Sequence, residues 1–228
     1  MSIGPSITRI AAAIGDPVRA EMLAALMGGR ALTATELASC AGITKQTGSS
    51  HLRRLVDAGL VTVRSQGRHR YFGIANEDVA HLLEQMIGVA ARTANPRLHV
   101  GPKEPALRRA RVCYDHLAGE IAVDIYERLL RSELLCFVGE NLTLSADGVR
   151  WMRRFGIDVE RLRSQRRALC RACLDWSERR NHLAGALGAA FLERLFERGW
   201  ARRERGSRLV TIRPAGELGL KRAFGSLR

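Results

Sequence analysis

Two stretches of this 228-residue chain carry cysteine, aspartate and histidine in the same order. Arg111 to Gly119 reads RVCYDHLAG, and Cys170 to Gly185 reads CRACLDWSERRNHLAG. In both, Cys-x-Asp precedes His, with six more residues between them in the second, and the word HLAG recurs after 66 residues. Cys170 and Cys173 also form a Cys-x-x-Cys. If the two stretches face each other, Cys113, His116, Cys170, Cys173 and His182 bring three thiols and two imidazoles to one centre. Thiolates bind soft acids, so zinc, copper(I) or a trivalent arsenical suits such a set, and a metal or metalloid ion at these cysteines is the cofactor the sequence suggests. Thiol oxidation or electrophile capture is the neighbouring chemistry. Arg111, Arg166, Arg167 and Arg171 lie close in sequence, and positive charge lowers a thiol's pKa. A small organic ligand held between the stretches is the third reading. The plain alternative is that HLAG is a packing word, its Ala and Gly letting two helices approach while His satisfies a buried carbonyl.

The elements that position these residues follow from apolar spacing. Leu107, Ala110, Cys113, Leu117, Ile121, Ile125 and Leu129 recur at intervals of three and four, which predicts one helix with Cys113 on its buried stripe. Asp175-Trp176-Ser177-Glu178 reads as a capping box with Asp175 as N-cap, opening the corresponding second helix. HLAGEIAVDIYERLLRSELLCF aligns with HLAGALGAAFLERLFERGWARR, the LTLSADG ending at Gly148 with the VTIRPAG ending at Gly216, and Phe155-Gly156 with Phe224-Gly225. The offset drifts only from 66 to 69. This predicts a duplicated unit, about 106–156 and 166–225, made of a long helix, an extended wing-like segment with a turn, and a shorter helix. Cys40 and Cys136 read as small hydrophobic residues.

Ahead of the repeats, TANPRLHVGPKEP holds three prolines and a glycine and reads as a linker. The expected organisation is therefore 1–92, a linker at 93–105, and 106–228. Within the first part, Thr35 to Ala41 forms a short helix and Gly42 a turn. A second helix, N-capped by Thr44, buries Leu52, Leu55 and Val56. Leu60 to Arg64 and His69 to Ile74 form a hairpin around Ser65-Gln66-Gly67-Arg68. Thr44, Lys45, Gln46, Thr47, Ser49, Ser50 and Arg53 lie on the second helix, toward its exposed N-terminal end, where side chains reach base edges. Arg64, Arg68, His69 and Arg70 sit at the hairpin and suit phosphate or the minor groove.

IGDPVRAEMLAAL (Ile14 to Leu26), TELASCAGIT and SSHLRRLVDAGLVTVRSQGRHRYFGI, followed by a helix from Asn76 to Ala91, resemble the ArsR/SmtB family of winged-helix transcriptional regulators over about 90 residues. The resemblance implies a homodimer joined through the first helix and the helix after the wing. It implies two recognition helices on a double-stranded operator, and repression relieved by an effector. Two departures stand out. Thr33, Ala34 and Thr35 occupy the place of the family's Cys-x-Cys metal site, and Asp78, His81 and Glu84 do not match the spacing of its second site. Gly48, inside the recognition helix, allows close approach either to the first helix or to DNA.

The charge fits such a partner. The formal net charge is +14, with 11 Lys and Arg against 7 Asp and Glu in residues 1–100, and 26 against 16 in 101–228. The longest apolar run, Leu183 to Leu192, is too short for a membrane span, and the N-terminus lacks signal-peptide character, so a cytoplasmic protein with no membrane partner is expected. Five cysteines then read as reduced thiols. The expected fold is mainly α with small β-hairpin wings, a winged helix-turn-helix followed by a helical C-terminal domain of two repeats. The expected function is sequence-specific transcriptional regulation, as a repressor whose effector is sensed in the C-terminal domain. An enzyme with a cysteine-containing catalytic domain is the rival class. Against it, the chain has no phosphate-cradling glycine loop, nucleophile elbow or His-Glu-x-x-His, and GALG lacks a preceding strand in this reading.

Overall fold

The computed structural model describes residues 7–66, 69–93, 104–205 and 207–225. The chain divides into two compact units, Met1–Leu83 and Glu84–Arg228.

In the first unit α1 (Ile7–Ile14) and α2 (Pro17–Leu26) meet at Asp16, whose carboxylate accepts the Arg19 N–H at 3.0 Å. Pro17 takes the first helical turn, where its missing N–H costs nothing. β1 (Leu32–Thr33) leads into α3 (Ala34–Cys40), opened by a reciprocal capping box between Thr33 and Glu36. Gly42, at φ +66°, turns the chain into α4 (Lys45–Asp57), where the Thr44 hydroxyl accepts the Thr47 N–H. Gly59, at φ +74°, ends α4, and β2 (Val61–Gln66) pairs antiparallel with β3 (His69–Ile74), Val63 opposite Phe72. β1 joins the other edge of β3. Met22, Leu23, Leu26, Leu37, Leu52, Leu55 and Leu60 form the core. The close approach predicted at Gly48 is to α3: a Cβ there would stand 3.0 Å from the Ala38 Cβ. α5 (Glu77–Thr93) follows, and the division between units falls within it. Most of the expected linker, residues 94–103, lies outside the described residues.

The second unit begins with α6 (Pro105–Arg109) and then runs β4 (Arg111–Cys113), β5 (His116–Ala118), α7 (Glu120–Arg131), β6 (Leu135–Val138), β7 (Asn141–Leu144) and α8 (Ala146–Arg154). After α9 (Val159–Arg163) the same succession returns as β8 (Arg171–Asp175), β9 (Arg180–Ala184), α10 (Gly185–Glu197), β10 (Ala201–Arg203), β11 (Val210–Ile212) and α11 (Pro214–Phe224). Each consecutive strand pair is an antiparallel hairpin. The single helix expected from Leu107 to Leu129 is therefore corrected to a short helix, a hairpin and α7, so this unit is not simply helical. Tyr114 at φ +56° makes the tight turn, and Gly119 at φ +95° redirects the chain into α7. The LTLSADG and VTIRPAG segments do supply strands, β7 and β11.

α7 packs against β9 and α10 against β5, so each HLAG strand lies under the helix of the other succession. The shared core includes Leu117, Ile121, Ile125, Leu183, Leu187 and Phe191. Beside it Phe155 stacks on Phe191 at 5.0 Å, and the Arg198 guanidinium lies 4.3 Å over the Phe155 ring.

Candidate functional site

The helix-turn-helix presents a polar, exposed surface. Thr44, Lys45, Gln46, Thr47, Ser49, Ser50 and Arg53 of α4 are all exposed, while Gly48, Leu52 and Leu55 turn inward. On the hairpin Arg64, His69 and Arg70 are exposed. Arg68 lies outside the described residues. Between α4 and the hairpin a groove of about 550 Å³ is lined by Lys45, Ser49, Arg53, His69, Arg70 and Phe72. Its basic groups and the capped N-terminus of α4 suit an anionic, groove-shaped partner.

In the second unit the hairpins bring two Cys–His pairs together. Cys113 stands directly across from His116 in β4–β5, and Cys173 across from His182 in β8–β9. The ligand-capable atoms of these four residues all lie within 4.8 Å of one another. The imidazoles meet Nε2 to Nε2 at 3.1 Å, which needs one ring to donate and the other to accept. His116 Nδ1 lies 3.2 Å from the Asp115 carboxylate, which the Arg167 guanidinium holds at 2.6 Å. His182 Nδ1 faces the Asp175 carboxylate at 3.5 Å. Asp175 is fully buried and accepts Arg111 Nη2 at 2.6 Å, the Gly119 N–H at 2.7 Å, the Ser177 hydroxyl at 2.7 Å and the N–H groups of Ser177 and Glu178.

Glu84 of α5 closes the cluster. The Cys113 and Cys173 thiols donate to its two carboxylate oxygens at 3.3 and 3.2 Å. Burial, reinforced by Cys113, pushes the Glu84 carboxyl up to about 8, against the opposing pull of His116 and Cys173. The bond from Cys173 draws the Cys113 thiol well down despite burial, with His116 and His182 assisting. Cys173 is driven well up by that same bond and by burial. Burial opposes charge on His116, but Asp115, Cys113 and Glu84 outweigh it and raise the imidazole to about 10. His182 is lowered by burial and by charge on His116.

A helix-turn-helix domain model matches residues 14–64. The uncharacterised HTH-type transcriptional regulator YdfF of Bacillus subtilis is 38% identical over 220 residues, 96% of this chain and 97% of that protein. The chain belongs to the HTH-type transcriptional regulators. CmtR of Mycobacterium tuberculosis is 31% identical over 84 residues, 37% of this chain and 70% of that one. Its solution structure, described as that of a cadmium metal-sensor, matches with a TM-score of 0.31 and 28% identity, covering 43% of this chain and 95% of that one. A homodimeric winged helix-turn-helix DNA-binding domain from Mycobacterium bovis, described as a possible ArsR-family regulator, is 28% identical with a TM-score of 0.38, covering 43% of this chain and 98% of that one.

Of the five cluster residues expected from the regulator's sequence, four converge and Cys170 does not. Cys170 sits in the apolar core, and burial pushes its thiol up to about 12. It precedes β8, and in extended chain positions three apart point to opposite faces, so Cys170 and Cys173 cannot serve one centre. Asp175 does not open a helix, which is a further correction. It collects local N–H groups as a cap would, but from the end of a strand, and α10 starts instead at Gly185. The arginines near the cysteines act through aspartates: Arg111 on Asp175 and Arg167 on Asp115. Glu84 was not assigned to the centre from sequence. It lies 29 residues from Cys113 and 89 from Cys173, and no local pattern marks it.

Proposed function

We propose that this regulator is a homodimeric, cytoplasmic repressor rather than an enzyme. It binds a double-stranded operator through α4 and the β2–β3 wing, and releases it when an effector reaches the thiol–imidazole cluster of the second unit. Cys113, His116, Cys173 and His182, gathered within 4.8 Å around a buried site, carry the sensing part of this reading. The exposed polar and basic residues of α4 and the hairpin carry the DNA part: Thr44, Lys45, Gln46, Thr47, Ser49, Ser50, Arg53, Arg64, His69 and Arg70, joined by Arg68, which lies outside the described residues. Dimerisation through the first helix and the helix after the wing is supported by exposed apolar residues there, Ile7 on α1 and Leu82, Met86 and Val89 on α5. The homodimeric mycobacterial domain and the metal-sensing relative CmtR point the same way. No helix among the described residues is long and apolar enough to cross a membrane.

We assign 1–92 to DNA binding and pairing, 93–105 to a linker, and 106–228 to sensing. The sensing part is a duplication, about 106–156 and 166–225. The double occurrence of HLAG and the twofold succession of hairpin, helix, hairpin and helix support it.

Selection of bound duplexes from a random pool, followed by mobility-shift titration, tests the central claim. The expected product is a two-part site with half-sites roughly 10 base pairs apart, one helical turn. Recovery of no preferred sequence would overturn it.

A further inference from the structure

We infer that Cys113, His116, Cys173 and His182 form a four-coordinate site for a borderline-soft divalent ion of the zinc class, bound through both Sγ and both Nε2 atoms. This deepens the sensing reading above by naming the ligand class. Two thiolates and two imidazoles are the donor set of tetrahedral zinc, and two thiolate charges neutralise a divalent ion, which a buried centre requires.

The orientation of the histidines identifies the ligand atoms. Nδ1 of His116 is taken by Asp115 and Nδ1 of His182 faces Asp175, and each carboxylate is in turn gripped by an arginine at 2.6 Å. Carboxylate–histidine pairs of this kind fix the ring and present the other nitrogen to an ion. Both Nε2 atoms point inward, 3.1 Å apart. Bonds of about 2.0–2.1 Å in a tetrahedron place two nitrogens roughly 3.3 Å apart, and sulfur bonds of about 2.3 Å place two sulfurs roughly 3.8 Å apart. The observed span of at most 4.8 Å is close to that frame. His182 Nδ1 is buried and makes no hydrogen bond among the described residues, so a stronger bond to Asp175 is available to it once Nε2 is metallated.

The ligands also come from two separate hairpins, each giving one cross-strand Cys–His pair. Packing alone does not call for this, since apolar residues would fill the space without burying thiols beside imidazoles. Binding releases to solvent the proton between the imidazoles and those of the two thiols, ending the bonds that Cys113 and Cys173 donate to Glu84.

The test is a titration of the reduced, metal-stripped full chain with zinc against a chromophoric chelator, and separately with cobalt(II), without DNA. One tightly held ion per chain is expected, with cobalt giving thiolate charge-transfer absorption and the intense visible bands of tetrahedral coordination. Cys113→Ser should weaken zinc binding at least 100-fold and Cys170→Ser should leave it unchanged. Asp115→Asn should cost roughly 10–100-fold while retaining the tetrahedral spectrum, which also covers the case in which Cys113→Ser fails to fold. No uptake by the wild-type chain, an octahedral cobalt spectrum, or equal loss in Cys170→Ser would overturn the assignment. A disulfide between Cys113 and Cys173 that alone altered DNA binding, with no ion bound, would overturn this inference and leave the sensing reading intact. Tight zinc binding with unchanged DNA affinity would do the reverse.

Discussion

The Arg111–Asp175 pair should be among the most sensitive points of the second unit. Both side chains are at most 2% exposed and their charged atoms lie 2.6 Å apart. Arg111 also donates to the Leu107 carbonyl and the Ser177 hydroxyl, each at 3.1 Å, and lies 5.3 Å over the Trp176 ring. Arg111→Met keeps much of the volume but leaves the Asp175 carboxylate buried with only neutral donors and His182 around it. Losing one partner of a buried pair costs about 3–5 kcal/mol. For a unit of this size each kcal/mol moves the melting temperature by about 2–4 °C, so a fall of roughly 6 °C or more is expected. Asp175→Asn alone should cost about 1–3 kcal/mol, because its amide cannot accept from every donor that the carboxylate serves. The double variant should lose less than the sum of the two, since removing both charges relieves the uncompensated one. Urea unfolding followed by tryptophan fluorescence reads this directly, because Trp151, Trp176 and Trp200 all lie in the second unit. Runs with a strong chelator keep any bound ion out of the comparison. A loss below about 1 kcal/mol in Arg111→Met, or strict additivity, would refute the reasoning.

Three further outcomes follow from the geometry. Gly119→Ala should destabilise the chain by more than the 1–2 kcal/mol ordinarily attached to positive φ, because a methyl there meets the Arg108 carbonyl oxygen. Gly42→Ala, also at positive φ but facing open space, should stay within that figure, and equal losses in thermal unfolding would contradict this account. Operator affinity should fall by about 10³–10⁵ between 50 and 200 mM salt if six to ten phosphates are neutralised, and Lys45→Ala or Arg53→Ala should each lower the slope of log affinity against log salt by about 1. A slope unaffected by either change would remove that residue from the DNA face. Glu84→Gln should keep zinc affinity within about tenfold while shrinking the effect of zinc on operator affinity, which for a coupled system is about 5–150-fold. Coupling measured by titrations with and without zinc that stayed at its wild-type value would exclude Glu84 as the link to α5.

The first unit was legible because its signals are local. Gly42 and Thr44 mark the turn and the start of α4, which positive φ and a cap impose whatever the rest of the chain does, whereas the cap at Thr33 starts α3 one residue ahead of the expected Thr35. The second unit was misread where a hairpin imitates a helix. Ala110, Leu117, Ile121 and Ile125 keep helical spacing, yet Ala110 and Leu117 are buried on opposite limbs of a chain that doubles back at Tyr114. That turn contains no glycine or proline to announce it, and Tyr114 takes a left-handed conformation that sequence gives little reason to expect. Cys170 stands apart from the centre for a related cause, since positions three apart meet on a helix and diverge in extended chain.

The opening coincidence, Cys-x-Asp before His in both stretches, finds a division of labour in the structure. In each stretch Cys and His stand across a hairpin, and the Asp turns to the Nδ1 of the same stretch's histidine. Each Asp is gripped by an arginine distant in sequence, Asp115 by Arg167 and Asp175 by Arg111. The six extra residues in the second stretch do not break this correspondence, because they lengthen the hairpin beyond the Cys–His pair, four in the loop between β8 and β9 and two at the start of β9, and leave Cys173 opposite His182. A change at Arg167 should therefore be felt at His116, and one at Arg111 at His182, each through an aspartate that is not among the ion's ligands.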